Sequence, residues 1–375
     1  MKAFEEPIYV TRPLLPPLEE LNDILRDIWQ DKWLTNNGSK HILLEERLRQ
    51  YLRVPHLSLF NNGTVALLVA LKALGLTGEV ITTPFTFAAT PHSVEWMGLQ
   101  PVFADVDPNT LNLDPARVER AITDRTCAIL PVHVFGTPCD VEGFRQIADK
   151  YGLKLIYDAA HAFGVEVKGS PIGAFGEITM FSFHATKLFN SADGGALVCG
   201  DETLKKKFDL MRNFGIKNEE VVEGTGINGK MNELQAAMGL AVLKYVDLER
   251  VRREKIKSIY KTELGDIPGI RLLEDQPGVK SSSQYLAILI DEQRFGCSRD
   301  YVYERFKDYN VFARKYFFPL CSNFPAYKNL PSADPANLQV ANRVGRETLC
   351  LPFYGSLSPD DVKKISYILR SFCER

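Results

Sequence analysis

The sequence predicts an α/β protein with a mainly parallel, seven-stranded sheet covered by helices on both faces and a smaller α+β domain at the C-terminal end. Three observations carry this. Seven short apolar runs recur between residues 57 and 198, and helical stretches lie between the first few. That alternation is the order of a doubly covered parallel sheet. The 375 residues accommodate one large α/β domain with a satellite. Beyond residue 246 the alternation gives way to two strand-like runs and separate helices. The boundary is therefore placed at 246, with residues 1–245 forming an N-terminal segment and the large domain, and 246–375 the small one.

Taken in order, Pro13-Leu14-Leu15-Pro16-Pro17 is too rich in proline for a helix interior. Leu18 to Trp29 has apolar residues at helical spacing, Trp33 to Gly38 is turn-like, and a helix covers His41 to Tyr51. The seven strands are expected at Leu57–Phe60, Glu79–Thr82, Pro101–Ala104, Cys127–Val132, Lys154–Tyr157, Ile178–Phe183 and Gly195–Val198. Helices fall at Thr64–Leu74, Ala88–Met97, Pro115–Ile122 and Val141–Tyr151. Asn232 to Tyr260 is one long helix or two. Ile270–Leu273 and Gln284–Leu289 read as strands, and Ser298–Tyr309 and Pro359–Phe372 as helices.

Composition excludes several classes. Lys and Arg number 45 against 47 Asp and Glu, a net charge of −2, so the basic footprint of a nucleic-acid binder is missing. The longest apolar stretches fall far short of the roughly 20 residues that span a bilayer. MKAFEEPIYV has no apolar signal core, so a soluble cytoplasmic protein is expected and the two Asn-Gly-Ser/Thr triplets carry no weight. Seven widely spaced cysteines without a CxxC pair argue against a disulfide framework and a zinc site, and no metal is expected.

Three fragments carry chemistry. Asn61-Asn62-Gly63-Thr64 follows a strand and opens an apolar helix, whose free N–H groups and dipole suit a phosphate; taken alone, Thr64 is equally an ordinary helix cap. Leu155-Ile156-Tyr157-Asp158 ends a strand in a carboxylate, where α/β sheets bind ligands; alone, it is equally a turn residue. Phe181-Ser182-Phe183-His184-Ala185-Thr186-Lys187 runs a buried strand into a lysine, followed by Asp193-Gly194-Gly195. Most lysines are solvated, but one held between buried strands can lose its proton and form a Schiff base. A phosphate cradle, a strand-end carboxylate and a lysine 29 residues later together make a pyridoxal-phosphate site. That cofactor needs a lysine for its aldehyde and an acid for its ring nitrogen. His133 and His184 read as packing groups, Lys205-Lys206-Lys207 as a solvated helix face, and Glu219, Glu220 and Glu223 as an exposed loop or hairpin.

Over nearly its whole length the chain resembles the DegT-type sugar aminotransferases, a branch of the type I pyridoxal-phosphate fold. The resemblance rests on Trp33-Leu34-Thr35-Asn36-Asn37-Gly38, Asn62-Gly63-Thr64-Val65-Ala66-Leu67, Thr83-Pro84-Phe85-Thr86-Phe87, Pro131-Val132-His133-Val134-Phe135-Gly136 and Leu351-Pro352-Phe353-Tyr354. It implies a three-layer αβα architecture and a role for each matching residue. Lys187 carries the cofactor and moves the proton. Asp158 pairs with the ring nitrogen, and Phe87 stacks on the ring. Gly63, Thr64 and Ser182 hold the phosphate, and His161 meets the phenolic oxygen where many members have Gln. Asn228 reaches the phosphate of a neighbouring subunit, making a homodimer with shared sites. Taken alone, Phe87 is equally a core aromatic and Asn228 a turn residue. Gly229-Lys230-Met231 departs from the more usual aromatic-Arg-Met. His161 with His184-Ala185-Thr186-Lys187 is similar to the subgroup that acts on dTDP-4-keto-6-deoxyglucose, with glutamate as amino donor and 2-oxoglutarate as its product. The alternatives are another keto-sugar nucleotide, a sugar dehydratase and a regulator of the same fold. Lys187 stands against the last two. Arg314, Lys315, Tyr316, Phe317 and the Asn213–Gly224 loop are candidates for substrate contacts.

Overall fold

The computed structural model describes residues 2–373. Two helices, α1 (Leu18–Asp31) and α2 (Ser39–Tyr51), precede the sheet. Seven strands follow: β1 (His56–Phe60), β2 (Glu79–Thr82), β3 (Gln100–Phe103), β4 (Thr126–Leu130), β5 (Lys154–Asp158), β6 (Ile178–Ser182) and β7 (Gly195–Cys199). Their spatial order is β1-β7-β6-β5-β4-β2-β3. All neighbours are parallel except β7, which runs antiparallel to both β1 and β6. The sequence contained all seven strands but not the reversal, because side-chain alternation is the same for either strand direction.

Strand alternation builds two apolar faces. Leu57, Leu59, Ile81, Ile129, Leu155, Tyr157, Phe181, Ala196 and Val198 share one core. Their chain neighbours Phe60, Val80, Ala128, Leu130, Ile156, Ile178, Met180 and Leu197 share the other. Helix α3 (Gly63–Ala73) covers the second face with Ala66, Leu67, Ala70 and Leu71, assisted by α4 (Ala89–Trp96) and α7 (Glu202–Met211). The first face is covered by α2, α5 (Pro115–Ala121), α6 (Val141–Tyr151) and α8 (Glu233–Leu243). These are three layers, helix–sheet–helix.

The stretch 232–260 is two helices. Helix α8 ends at Leu243 and α9 spans Val246–Leu264, the first capped by an Asn232–Gln235 capping box. Ile256, Tyr260 and Leu264 of α9 recur at four-residue spacing and enter a third core. That core lies on an antiparallel sheet of β8 (Ile270–Leu272), β9 (Leu286–Ile290) and β10 (Thr348–Leu351), joined by α10 (Arg299–Lys307) and α12 (Pro359–Cys373). The sequence reading did not include β10 or α11 (Gln339–Glu347). Thr348–Leu351 follows Glu347, the last residue of α11, with no turn residue between them, so no breaker marks where the strand begins. Chain order also misleads at the other end. Phe4 joins the C-terminal core, and Ile8–Tyr9 pairs in parallel with Val311–Phe312. A fourth core, with Phe85, Phe103 and Phe135 facing Leu289, Phe317 and Cys350, fills the seam between the two sheets.

Candidate active site

A cavity of about 630 Å³ opens beside this seam, at the carboxyl ends of β5 and β6 and the N-terminus of α3, where open α/β sheets bind ligands. Gly63, Thr64, Phe87, Asp158, His161, Ser182 and Lys187 all line it, brought from positions spread over more than a hundred residues.

The end of the cavity at α3 follows from helix capping. Asn62, rather than Thr64, is the N-cap. Its Oδ1 accepts the Val65 N–H at 2.8 Å and its carbonyl accepts the Ala66 N–H at 3.2 Å. The amides of Gly63 and Thr64, the first two of the helix, are left at the cavity wall with the positive end of the dipole. The first residue of β7 is glycine for a steric reason, since a Cβ on Gly195 would lie 2.8 Å from the Gly63 backbone. Gly63 is itself close to Ser182, where its own Cβ would stand 3.1 Å from Ser182 Cβ and 3.3 Å from Ser182 Oγ. Two backbone amides and two hydroxyls therefore converge on one corner.

Asp158 ends β5 and is 4% exposed. Its Oδ2 accepts from Thr90 Oγ1 at 2.8 Å, and its Oδ1 from the Ala160 N–H at 3.0 Å. Thr86 Oγ1 lies 3.0 Å from Thr90 Oγ1 and supplies the next proton in the chain. Burial raises the Asp158 pKa above the usual carboxylate value, and two neutral donors and Lys187 only partly oppose it. A cationic group set against this carboxylate would relieve the penalty. Lys187 lies in the loop after β6, anchored by buried Leu188 and Phe189. Burial lowers its pKa from 10.5 to about 8, against the attraction of Asp158.

His161 is buried, with its ring nearly parallel to those of Phe135 and Phe317. Its Nδ1 accepts the Phe135 N–H at 3.2 Å, so the remaining proton of the neutral ring sits on Nε2. Burial, then Lys187, holds its pKa well below the usual histidine value. His161 is thus a fixed, uncharged donor. Phe87 is 63% exposed and is not a core aromatic; a large ring left open at a cavity rim is available to a planar ligand.

Asn228 does not line this cavity. It is exposed, in a bridge with Asn213, and its carbonyl accepts from Asn61 Nδ2 at 3.4 Å. Arg314, Tyr316 and Phe317 do line it, whereas Lys315 pairs with Asp300 at 3.1 Å. The Asn213–Gly224 loop also lies outside the lining. His133 is a packing group, stacked on Tyr157 at 4.8 Å, while His184 is exposed at the rim. Thr90, Gln284 and Tyr285 were not found by sequence reasoning. They are single polar residues without a motif, and only folding brings them to the site.

A covered α/β sheet with a helix N-terminus, a buried acid and a lysine of lowered pKa around one cavity matches the type I pyridoxal-phosphate fold of the aminotransferases. The chain belongs to the DegT/DnrJ/EryC1/StrS aminotransferase family, whose model matches residues 18–370. It is 46% identical over 368 residues to the dTDP-4-amino-4,6-dideoxy-D-glucose transaminase of Escherichia coli, covering 97% of this chain and 98% of that one. Among solved structures it superposes on DesI, crystallised in the presence of its TDP-sugar product, with a TM-score of 0.95 at 38% identity. That match covers 100% of this chain and 95% of DesI. It also superposes on the PMP form of Spr1654 from Streptococcus pneumoniae, with a TM-score of 0.89 at 26% identity, covering 97% and 98% of the two chains. No described helix is long and apolar enough to cross a membrane.

Proposed function

We propose that this protein is a pyridoxal-phosphate-dependent sugar-nucleotide aminotransferase that moves an amino group from glutamate to the 4-keto carbon of dTDP-4-keto-6-deoxyglucose, forming dTDP-4-amino-4,6-dideoxyglucose. The observation that carries the chemistry is Lys187 facing Asp158 across one cavity, its pKa lowered to about 8 by burial. The near full-length identity to the Escherichia coli transaminase and the DesI likeness support the choice of sugar.

The residues present fit the cofactor. The Gly63 and Thr64 amides, Thr64 Oγ1 and Ser182 Oγ suit its phosphate, Asp158 its ring nitrogen, His161 Nε2 its phenolic oxygen, and Phe87 its ring face. When bound, pyridoxal phosphate supplies the electron sink for the carbon that loses its proton. Lys187 Nζ would hold its aldehyde with loss of water; displaced by the donor's amine, it would move a proton from the donor carbon to the cofactor in one half-reaction and from the cofactor to the sugar carbon in the other. In the cofactor-free protein the lysine's pKa of about 8 leaves part of it neutral near neutral pH, as an amine that must react with an aldehyde needs to be. Asp158, as a carboxylate, keeps the ring nitrogen protonated. Arg314, exposed at the mouth and without an ion pair among the described residues, suits a substrate anion.

The active unit proposed is a homodimer. Helices α1 and α2 each pack on α8; Trp29, Ile42 and Leu234 on these helices, with Leu34 in the turn between α1 and α2, are exposed apolar surface that a second copy would cover. Asn228, exposed and outside its own cavity, is free to serve its partner's phosphate.

The test combines glutamate, pyridoxal phosphate and a panel of 3-keto and 4-keto sugar nucleotides, with mass spectrometry of the products. Amination of dTDP-4-keto-6-deoxyglucose well ahead of the others is expected. Preference for a 3-keto sugar would overturn the substrate, and no amination would overturn the activity. Mixing inactive Lys187→Ala and Asn228→Ala chains should restore one working site per mixed dimer. No recovery after subunit exchange would refute shared sites.

A further inference from the structure

Lys187 lies on a loop that is not held by regular structure. Its own N–H donates to the His184 carbonyl at 2.8 Å. The residues on either side of it are both held by one side chain from elsewhere. The Leu188 N–H donates to Gln284 Oε1 at 2.6 Å, and Gln284 Nε2 donates to the Thr186 carbonyl at 2.9 Å. The amide orientation is determined by these partners, since a flip would set donor against donor and acceptor against acceptor.

Gln284 is 1% exposed and its own backbone is anchored. Arg253 Nη1, from α9, donates to the carbonyls of Ser283 and Gln284 at 3.3 and 3.4 Å. Arg253 Nε donates to Glu249 Oε1 at 2.7 Å, which also accepts the Gly355 N–H at 2.8 Å. On either side of Gln284 the same segment touches the other catalytic wall. Ser282 Oγ donates to the His161 carbonyl at 2.7 Å, and the Tyr285 ring lies edge-on to His161 at 5.1 Å. The lysine loop thus takes its position from a buried network in the C-terminal part of the chain.

We infer that Gln284 is a positioning residue, which grips the backbone before and after Lys187 and so aims Nζ at the cofactor aldehyde and at the substrate carbon. The inference rests on Lys187 being the cofactor-bearing lysine. A buried amide that spans two consecutive peptide groups restricts the loop on both sides of one side chain. Neither bond is part of a helix or strand ladder, so nothing else in secondary structure replaces it.

The experiment follows attachment of pyridoxal phosphate to cofactor-free protein, trapping it with borohydride and quantifying the modified Lys187 peptide by mass spectrometry against time. Turnover with glutamate and Tm are measured alongside. The variants are Gln284→Met, which fills the space without either bond, and Gln284→Glu, which keeps an acceptor for Leu188 but turns a carboxylate toward the Thr186 carbonyl. Tyr260→Phe, which removes a buried bond to the Pro352 carbonyl in the C-terminal core, where neither residue lines the cavity, is the control for lost stability. Both Gln284 variants are expected to slow trapping and lower kcat by roughly tenfold or more, with a smaller change in KM for glutamate. Tyr260→Phe should lower Tm without slowing trapping. The inference is overturned if either folded Gln284 variant traps cofactor at the wild-type rate, or if Tyr260→Phe slows trapping equally. A wild-type protein that traps no cofactor on Lys187 would overturn the reading of Lys187, and this inference with it.

Discussion

Asp158→Asn separates two effects of one carboxylate. The change is isosteric and leaves the local hydrogen bonds satisfiable. The amide oxygen keeps the Ala160 N–H, the amide nitrogen faces Thr90 Oγ1, and the Thr90 hydroxyl turns toward Thr86 Oγ1, 3.0 Å away. Only a charge is lost. In the cofactor-free protein that charge raises the Lys187 pKa against the larger effect of burial, and the balance stands at about 8. Such a lysine is neutral in roughly one molecule in ten at pH 7. Without the carboxylate its pKa falls further, so the reactive fraction at pH 7 rises, by at most about tenfold. Turnover should move the other way. A ring nitrogen with no acid beside it is a poorer electron sink, and losing one preorganised electrostatic partner costs on the order of 10²–10³-fold in kcat.

Two assays on the same preparations read the two effects. Trace acetylation of cofactor-free protein across pH, with the Lys187 peptide quantified, reports the amine. Single-turnover reaction with glutamate reports the chemistry. The amine should titrate with a midpoint near pH 8 and move lower in Asp158→Asn, while kcat collapses. Stability gives a further sign. The folded carboxyl pKa lies above its ordinary 3.8, so its contribution is full below that value and lost as pH rises through the folded one. At pH 7 the Asn variant without cofactor should therefore be no less stable than wild type. A midpoint at an ordinary lysine value, a midpoint that rises in the variant, or unchanged kcat would refute the reasoning.

Lys187→Ala should abolish the visible absorbance band and all turnover while leaving Tm within a few degrees, read by spectrum and thermal melt. Gly63→Ala should weaken cofactor binding by about tenfold, roughly 1.4 kcal/mol, in a fluorescence titration. The added methyl meets Ser182 Cβ at 3.1 Å and Met180 Sδ at 3.3 Å, so the phosphate corner must shift. Arg314→Ala should leave Tm unchanged, because the side chain is exposed. It should raise KM for an anionic substrate by about 10–100-fold through loss of a charge-assisted contact, and steady-state kinetics varying each substrate will show which one.

The candidate site was legible where a residue sits next to its own secondary-structure signal. Asp158 closes an apolar strand, Gly63 and Thr64 open an apolar helix, and Ser182 and Lys187 follow a buried strand, so each position relative to the sheet can be read from a few neighbours. Thr90 and Gln284 carry no such signal. Thr90 is one threonine in a helix, and Gln284 lies 97 residues beyond Lys187. The helix cap was also misplaced by two residues, because Thr64 and Asn62 are both acceptable caps and only backbone geometry selects Asn62.

By itself the sequence determined the layer architecture, the seven strands, the acid–lysine pair and the helix whose N-terminus meets the cavity, because each depends on local periodicity and local chemistry. Only the tertiary structure decided the reversed direction of β7, the entry of Phe4 into the C-terminal core, the pairing of Ile8–Tyr9 with Val311–Phe312 and the single protonation form of His161. It alone also gave Lys187 a pKa of about 8 and the grip of Gln284 on its loop. The physical reason is common to these. Strand direction, burial and hydrogen bonds between distant segments depend on which surfaces meet, and a pKa depends on the water and charge that such meetings remove or supply.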